Sequence, residues 1–371
     1  MRQAIVIFSG FNQRAVLAFI RTLESRNVPY GIIAASPEDT ILKTAYATKV
    51  CAVRKVRQLQ LEDLTESLKI TKSKLGTDRY LIAPSTEALN RFLIEKRNEF
   101  ESLDCEIPLV KALLYEVVSD KYKFGELCSK HGIRVPKEYH ILEDAPIPCV
   151  AKPRQYYADN GETHSPVLIK NEVEKEEFLG IYNPREFYFQ EYIKGASLYL
   201  LYYFYRDGTV AKFSQENFIQ QPNGKSMLAA ESCDFHNNKE SEKYEKLFKT
   251  ITYWGLVMVE VKEMSGEYFM IEANPRFWGP SQLFVDASNN LFEAFLHDNG
   301  IIADKPSLHH AEKKIRYFWD GGLHESMRDY GYVDYHNYSK EKFDAHRDDW
   351  KAFDVYNRDD SREIYKREME V

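Results

Sequence analysis

The sequence has no excess of positive charge: in 371 residues, 50 lysines and arginines stand against 57 aspartates and glutamates, for a formal charge of −7. Binding a phosphate backbone needs a basic patch, so nucleic acid is not expected as a partner. Long apolar runs are missing too. The stretch from residue 199 to 205 falls far short of the ~20 residues of a membrane span, so no membrane partner is expected. The first residues carry one arginine and then Ala4-Ile5-Val6-Ile7-Phe8, too short for a signal peptide. Cysteine is scarce: Cys51, Cys105, Cys128, Cys149 and Cys233 are odd in number and nowhere form CxxC. That excludes a zinc ribbon or disulfide scaffold and points to reduced thiols in the cytoplasm. There is no internal repeat, no low-complexity tract and no GxGxxG. What remains is a chain long enough for two or three domains, with a core that needs neither metal nor cross-link.

The pattern changes along the chain. Residues 4–8 read as a buried parallel strand and Ser9-Gly10 as a turn. Asn12 is placed to cap a helix with Val16, Phe19, Ile20 and Leu23 on one face. Further strands are expected at 30–35 and 80–83, the latter followed by a helix from Thr86 toward Glu101. This alternation predicts a doubly wound α/β domain over residues 1–115. Ser119 is expected to cap the next helix, which Gly132 closes before Pro136. Short strands then dominate, at 149–153, 187–193, 198–206, 210–214, 256–262 and 267–272, with a helix near 244–253. Asp207-Gly208 and Ser265-Gly266 supply hairpin turns, so this section reads as α+β and mostly antiparallel. Beyond residue 300 no period is visible, and His309-His310 and Gly321-Gly322 receive no role.

The richest chemistry lies in the last hairpin, Met258-Val259-Glu260-Val261-Lys262 followed by Met270-Ile271-Glu272-Ala273-Asn274-Pro275-Arg276. Strand residues alternate faces, so Glu260 and Glu272 can share a face near one rung, with Asn274 beside them. Two carboxylates and an amide oxygen are hard ligands suited to Mg²⁺ that also binds substrate phosphates. Arg276 would set a permanently charged fork beside a transferring phosphoryl group. Lys121, in the first turn of a helix, reads equally as a phosphate ligand or as an exposed partner of Asp120. Lys152 follows three apolar strand residues and precedes a proline, which aims a half-buried ammonium at a phosphate or at an internal salt bridge. The segment Gln190-Glu191-Tyr192-Ile193-Lys194-Gly195 could hold a nucleotide base, as could any edge strand.

Taken in order, Ser119-Asp120-Lys121, His131-Gly132-Ile133-Arg134-Val135-Pro136, Val150-Ala151-Lys152-Pro153, Gln190 to Gly195 and Ile271 to Arg276 resemble the ATP-grasp superfamily. The branch is that of biotin carboxylase and the carbamoyl phosphate synthase large chain. The resemblance implies a Rossmann-like pre-ATP-grasp domain at 1–115, an ATP-grasp domain of two subdomains at 116–300 with its lid at about 137–192, and a C-terminal extension at 301–371. It gives Lys121 and Lys152 to the ATP phosphates, and Gln190, Glu191, Tyr192 and Ile193 to adenine. Glu260, Glu272 and Asn274 go to Mg²⁺, with Mn²⁺ as an alternative, and Arg276 to the γ-phosphoryl group. Two departures stand out. The segment 154–165 holds one glycine where family loops are glycine-rich, and Ala196-Ser197 replaces an acidic residue for the ribose, leaving Ser197 as the donor. The expected activity is an ATP-dependent carboxylate–amine ligase, forming an amide or peptide bond through an acyl phosphate and releasing ADP and phosphate. Its partners would be small carboxylates and amines; a homodimer is compatible with it. The alternatives are an ATP-binding regulatory protein with a degenerate site, or carboxylation and carbamoyl phosphate-type chemistry. The acceptor pocket is expected between the turn at Phe8 to Arg14 and strands near 215–226, with Arg14 either an anion contact or an exposed helix residue.

Overall fold

The computed structural model describes residues 3–155, 161, 163–307 and 314–370. Strands β1 (Gln3–Phe8), β2 (Tyr30–Ala34), β3 (Val50–Val53), β4 (Arg79–Ile82) and β5 (Cys105–Glu106) form a parallel sheet in the order β3-β2-β1-β4-β5. Alternate residues of β1 enter two cores, which is why its run is apolar throughout. Ile5 and Ile7 join Val16, Phe19, Ile20 and Leu23 of the helix Gln13–Ser25, whereas Ala4, Val6 and Phe8 join Leu64, Leu68, Leu89 and Leu93. The short, partly exposed β3 has no counterpart in the sequence reading, because four residues carry too little period. Two local expectations are corrected. Asn12 makes no side-chain cap; it adopts a left-handed conformation and donates to the Ser85 and Phe277 carbonyls. The helix expected from Thr86 to Glu101 breaks at Lys96 into Glu87–Glu95, which Thr86 does cap, and Arg97–Glu101.

The middle of the chain builds two antiparallel sheets. Strands β6 (Glu138–Tyr139), β7 (Cys149–Pro153), β8 (Val167–Ile169) and β9 (Phe187–Glu191) make a small one, ordered β6-β9-β7-β8. It has its own core of Cys149, Ala151, Ile169, Phe187 and Phe189 against Phe178 of the helix Glu172–Ile181. The large sheet contains β10 (Ala196–Phe204), β11 (Val210–Gln220), β12 (Met227–Ser232), β13 (Gly255–Met264) and β14 (Glu267–Asn274), with β15 (Arg316–Phe318) and β16 (Asp334–Tyr335). Its order is β14-β13-β10-β11-β12-β15, and β16 pairs with β11. Side chains of β10 alternate into the same two cores as β1, so the parallel and large antiparallel sheets share their interior. Phe19 lies 4.8 Å from Phe277 and 5.0 Å from Phe292 by ring centroids, which fastens the first helix to the chain that follows β14.

The segment after residue 300 is integral to this body. Trp350 is 1% exposed and packs on Phe218, Phe318 and Phe343, holding β15 and the last helices against the large sheet. Gly322 has a packing role: a Cβ there would sit 2.2 Å from the Trp319 ring. His309-His310 lies outside the described residues. The five cysteines are all free thiols.

Candidate nucleotide and metal site

Glu260 on β13 stands directly opposite Glu272 on β14. The next rung pairs Val261 with Met270, so Ile271 is the extra residue of a β-bulge. Its carbonyl accepts from the Lys152 Nζ at 3.1 Å, which ties the small sheet to the large one at the carboxylates. Lys121 reaches the same place from the first turn of the helix Lys121–Lys130 and forms an ion pair with Glu272. The cap of that helix is Asp120, whose carboxylate accepts from the Lys123 N–H, and not Ser119, which ends the preceding helix and accepts from Arg91. A lysine at a helix N-terminus opposes the dipole; here Glu272 offsets that cost. Asn274 donates to the Glu272 Oε1 at 2.7 Å and accepts from the Arg276 guanidinium at 3.2 Å.

The charges do not cancel one for one. Burial alone would raise the Glu272 carboxyl, but the Lys121 ammonium and the Asn274 amide hold it down to about 2. Glu260 is raised, first by burial and then by the Glu272 charge. Among the described residues it has no ion pair; its hydrogen bond is a long one from Ser197, at 3.5 Å. Lys152 is 5% exposed, and burial followed by repulsion from Lys121 brings its ammonium down to about 8. It too has no ion pair among the described residues. A buried carboxylate and a buried ammonium, each without its own counter-ion, fit a ligand that carries a divalent cation and phosphate oxygens together. The two carboxylates would take the cation and the two lysines the oxygens. No group of three or more His, Cys, Asp or Glu side chains converges among the described residues, so the donor set is two carboxylates with Asn274 at hand.

A protein-family model described as an ATP-grasp domain matches residues 118–280, a span that holds every residue of the arrangement above. The chain carries an ATP-grasp domain. No curated protein matches it. Among solved structures, Rhizobium etli pyruvate carboxylase aligns over 84% of this chain and 30% of its own, at 14% identity and a TM-score of 0.62. This chain thus spans less than a third of that enzyme. The biotin carboxylase domain of Hydrogenobacter thermophilus 2-oxoglutarate carboxylase, solved as a dimer with MgADP, ADP and bicarbonate, aligns over 85% of this chain and 74% of its own (14% identity, TM-score 0.63). An N5-carboxyaminoimidazole ribonucleotide synthetase solved with ADP aligns over 88% and 85% (15% identity, TM-score 0.63). At these identities the likeness establishes the fold: a parallel α/β sheet followed by the antiparallel ATP-grasp region.

Two cavities meet at Glu260 and Glu272. The first lies between the small and large sheets and is lined by Lys152, Gln190, Glu191, Tyr192 and Ile193. Gln190 donates to Glu138 at 2.9 Å, and its buried Oε1 has no hydrogen-bond partner among the described residues. Ser197 does not reach this cavity. It is fully buried, accepts from Asn217 and donates to Glu260, so the ribose role drawn from the resemblance is corrected to support of that carboxylate. The second cavity, about 440 Å³, lies beyond the carboxylates and is lined by Asn12, Arg14, Tyr199, Gln221, Arg276 and Trp278, among others. Arg276 therefore sits on the far side of the carboxylate pair from the first cavity. Arg14 is not the exposed residue that its helix suggested: it is 8% exposed, donates to the Met227 carbonyl, Tyr317 and Ser226, and stacks 3.8 Å over Trp319. Of the glycine-poor segment 154–165, residues 156–160 and 162 lie outside the described residues.

Three cavity residues escaped the sequence reading. Lys262 lies two residues past Glu260 on the same strand face, a spacing that could have revealed it. Its ammonium donates to His336 Nδ1 at 3.4 Å, and His336 Nε2 bonds Gln220 Oε1 at 2.8 Å. Burial and Lys262 hold the His336 imidazole down to about 3, so it is neutral. Asp334 lines the same cavity. Both belong to the segment after residue 300, whose place beside β11 no local pattern announces.

Proposed function

We propose that this protein is an ATP-dependent ligase that activates a carboxylate as an acyl phosphate, passes it to an amine, and releases ADP and phosphate. The observation that carries this reading is the meeting of two cavities at the opposed carboxylates Glu260 and Glu272. A nucleotide laid along the first cavity, base toward Glu191–Ile193 and phosphates toward Lys121 and Lys152, ends at the carboxylates. An acceptor in the second cavity approaches the same point beside Arg276. Phosphoryl transfer needs positioning and charge neutralisation more than a protein nucleophile. Lys121 and Lys152 neutralise oxygen charge, Glu260 and Glu272 hold Mg²⁺ with Asn274 steadying Glu272, and Arg276 faces the acceptor side, where charge develops in transfer. Mg²⁺ would be held by Glu260 and Glu272 and would supply neutralisation of the phosphate charge.

The test is a panel of carboxylates and amines read by ADP release, with hydroxylamine added to intercept the acyl phosphate as a hydroxamate. AMP in place of ADP would defeat the reading. Bicarbonate belongs in the panel because one structural neighbour was solved with it bound and others are carboxylases. ADP release that depends on bicarbonate, with no hydroxamate from any organic acid, would turn the reading toward carboxylation. The dimeric neighbour makes a homodimer the assembly to look for first.

A further inference from the structure

The nucleotide reading leaves a gap. A ribose has a vicinal pair of hydroxyl donors that needs an acceptor part-way along the cleft, yet the start of β10 offers Ala196 and a fully buried Ser197. The pairing along β11 shows what stands there instead. Ser197 is the partner of Asn217; two residues further on, Ile219 and Gln220 pair on the same edge with Tyr335 and Asp334, since β12 occupies the opposite edge. The C-terminal strand β16 thus continues the line of β10 just where β10 begins. It brings Asp334 into the first cavity with Tyr192 and Ile193.

The position of Asp334 within the cleft follows from its charged neighbours. Lys170 and Lys262 act on it, and it acts on Tyr192. Lys262 faces both Asp334 and Glu260, and Asp334 shares the cavity wall with Tyr192 and Ile193 of the base-holding segment. It is half-buried and has no ion pair among the described residues. An ionised carboxylate is an acceptor only, with two oxygens that can take two O–H donors at once. Lys170 and Lys262 offset the Asp334 charge and the Asn223 N–H takes part of its acceptor capacity, so the remainder is open to a ligand that presents donors.

Resting on the ATP reading above, we propose that the C-terminal segment completes the nucleotide site of this protein, and that the Asp334 carboxylate accepts hydrogen bonds from the ribose hydroxyls. Asp334 is then a specificity residue for ribonucleotides, carried by a part of the chain outside the matched ATP-grasp span. Lys262 and His336 hold β16 in place: the ammonium donates to the imidazole, and the imidazole Nε2–H donates to Gln220 on β11.

Calorimetric titration of the full chain with Mg-ADP, Mg-2′-deoxy-ADP and Mg-tripolyphosphate tests this. A hydrogen bond to a charged group is worth roughly tenfold or more in affinity. Wild type should bind ADP about 10-fold tighter than 2′-deoxy-ADP. Asp334→Asn should lower ADP affinity by about the same factor, erase the preference over the deoxy ligand, and leave tripolyphosphate binding unchanged. A merely structural role would weaken all three ligands together, and that outcome overturns the proposal. So does equal affinity of wild type for ADP and 2′-deoxy-ADP, a result that does not depend on how the variant folds. Absence of any Mg-ADP binding to wild type overturns the ATP reading itself, and this assignment with it; a preference kept in Asp334→Asn overturns the assignment alone.

Discussion

Lys152→Met should make the ligand-free protein more stable while destroying its response to ATP. The side chain is 5% exposed, and its ammonium is held at about 8 against the ordinary ~10.4 of lysine. Keeping it charged in the fold at pH 7 therefore costs on the order of 3 kcal/mol. The folded state binds its proton less tightly than the unfolded state, so the cost is present in full below pH 8. It fades as pH rises from about 8 toward the unfolded value. Methionine fills a similar volume without a charge, and loses the hydrogen bond to the Ile271 carbonyl, worth about 1 kcal/mol. The net gain at pH 7 is then about 1–2 kcal/mol. Urea denaturation of both proteins at pH 7 and at pH 9.5 reads it directly. The variant should be ahead at pH 7 and the gap should narrow at the higher pH. Millimolar Mg-ATP should raise the melting temperature of wild type by mass action and leave Lys152→Met where it was. A variant less stable than wild type at pH 7 would refute the view of Lys152 as an uncompensated buried charge. A variant that still responds fully to Mg-ATP would remove it from the phosphate site.

Glu272→Gln keeps the side-chain shape but leaves Lys121 without its ion pair; hydroxamate formation should disappear, and the melting temperature without ligand should fall. Arg276→Ala should bind Mg-ATP normally in calorimetry while turnover drops by ~10²–10³, the usual cost of losing one transition-state donor. Unchanged turnover would move the chemistry elsewhere. Trp350→Ala empties the aromatic cluster that holds the C-terminal segment and should cost about 3–5 kcal/mol in chemical denaturation. Because β16 is part of that segment, ADP affinity should fall with it.

The local chemistry of this chain was readable in one dimension. Strand alternation put Glu260 and Glu272 on one rung, and the helical period of Val16, Phe19, Ile20 and Leu23 marked a buried face. The order of short motifs from Lys121 to Arg276 resembled a family that residues 118–280 then matched. Such signals survive because neighbours in sequence set them. What needed the folded chain were the pairings between distant residues. Only the structure shows Lys121 neutralised by Glu272 while Lys152 and Glu260 have no ion pair among the described residues, since that depends on which side chains meet across two sheets. Only there does Ser197 turn inward, or Arg14 lie buried across from Tyr317, some three hundred residues away in the chain. The two strands of the last segment, β15 and β16, are three and two residues long, too short to carry a period, and take their register from β12 and β11. The contribution of this segment to the nucleotide cavity, Asp334 and His336, is a product of long-range strand pairing, which no window along the sequence can contain.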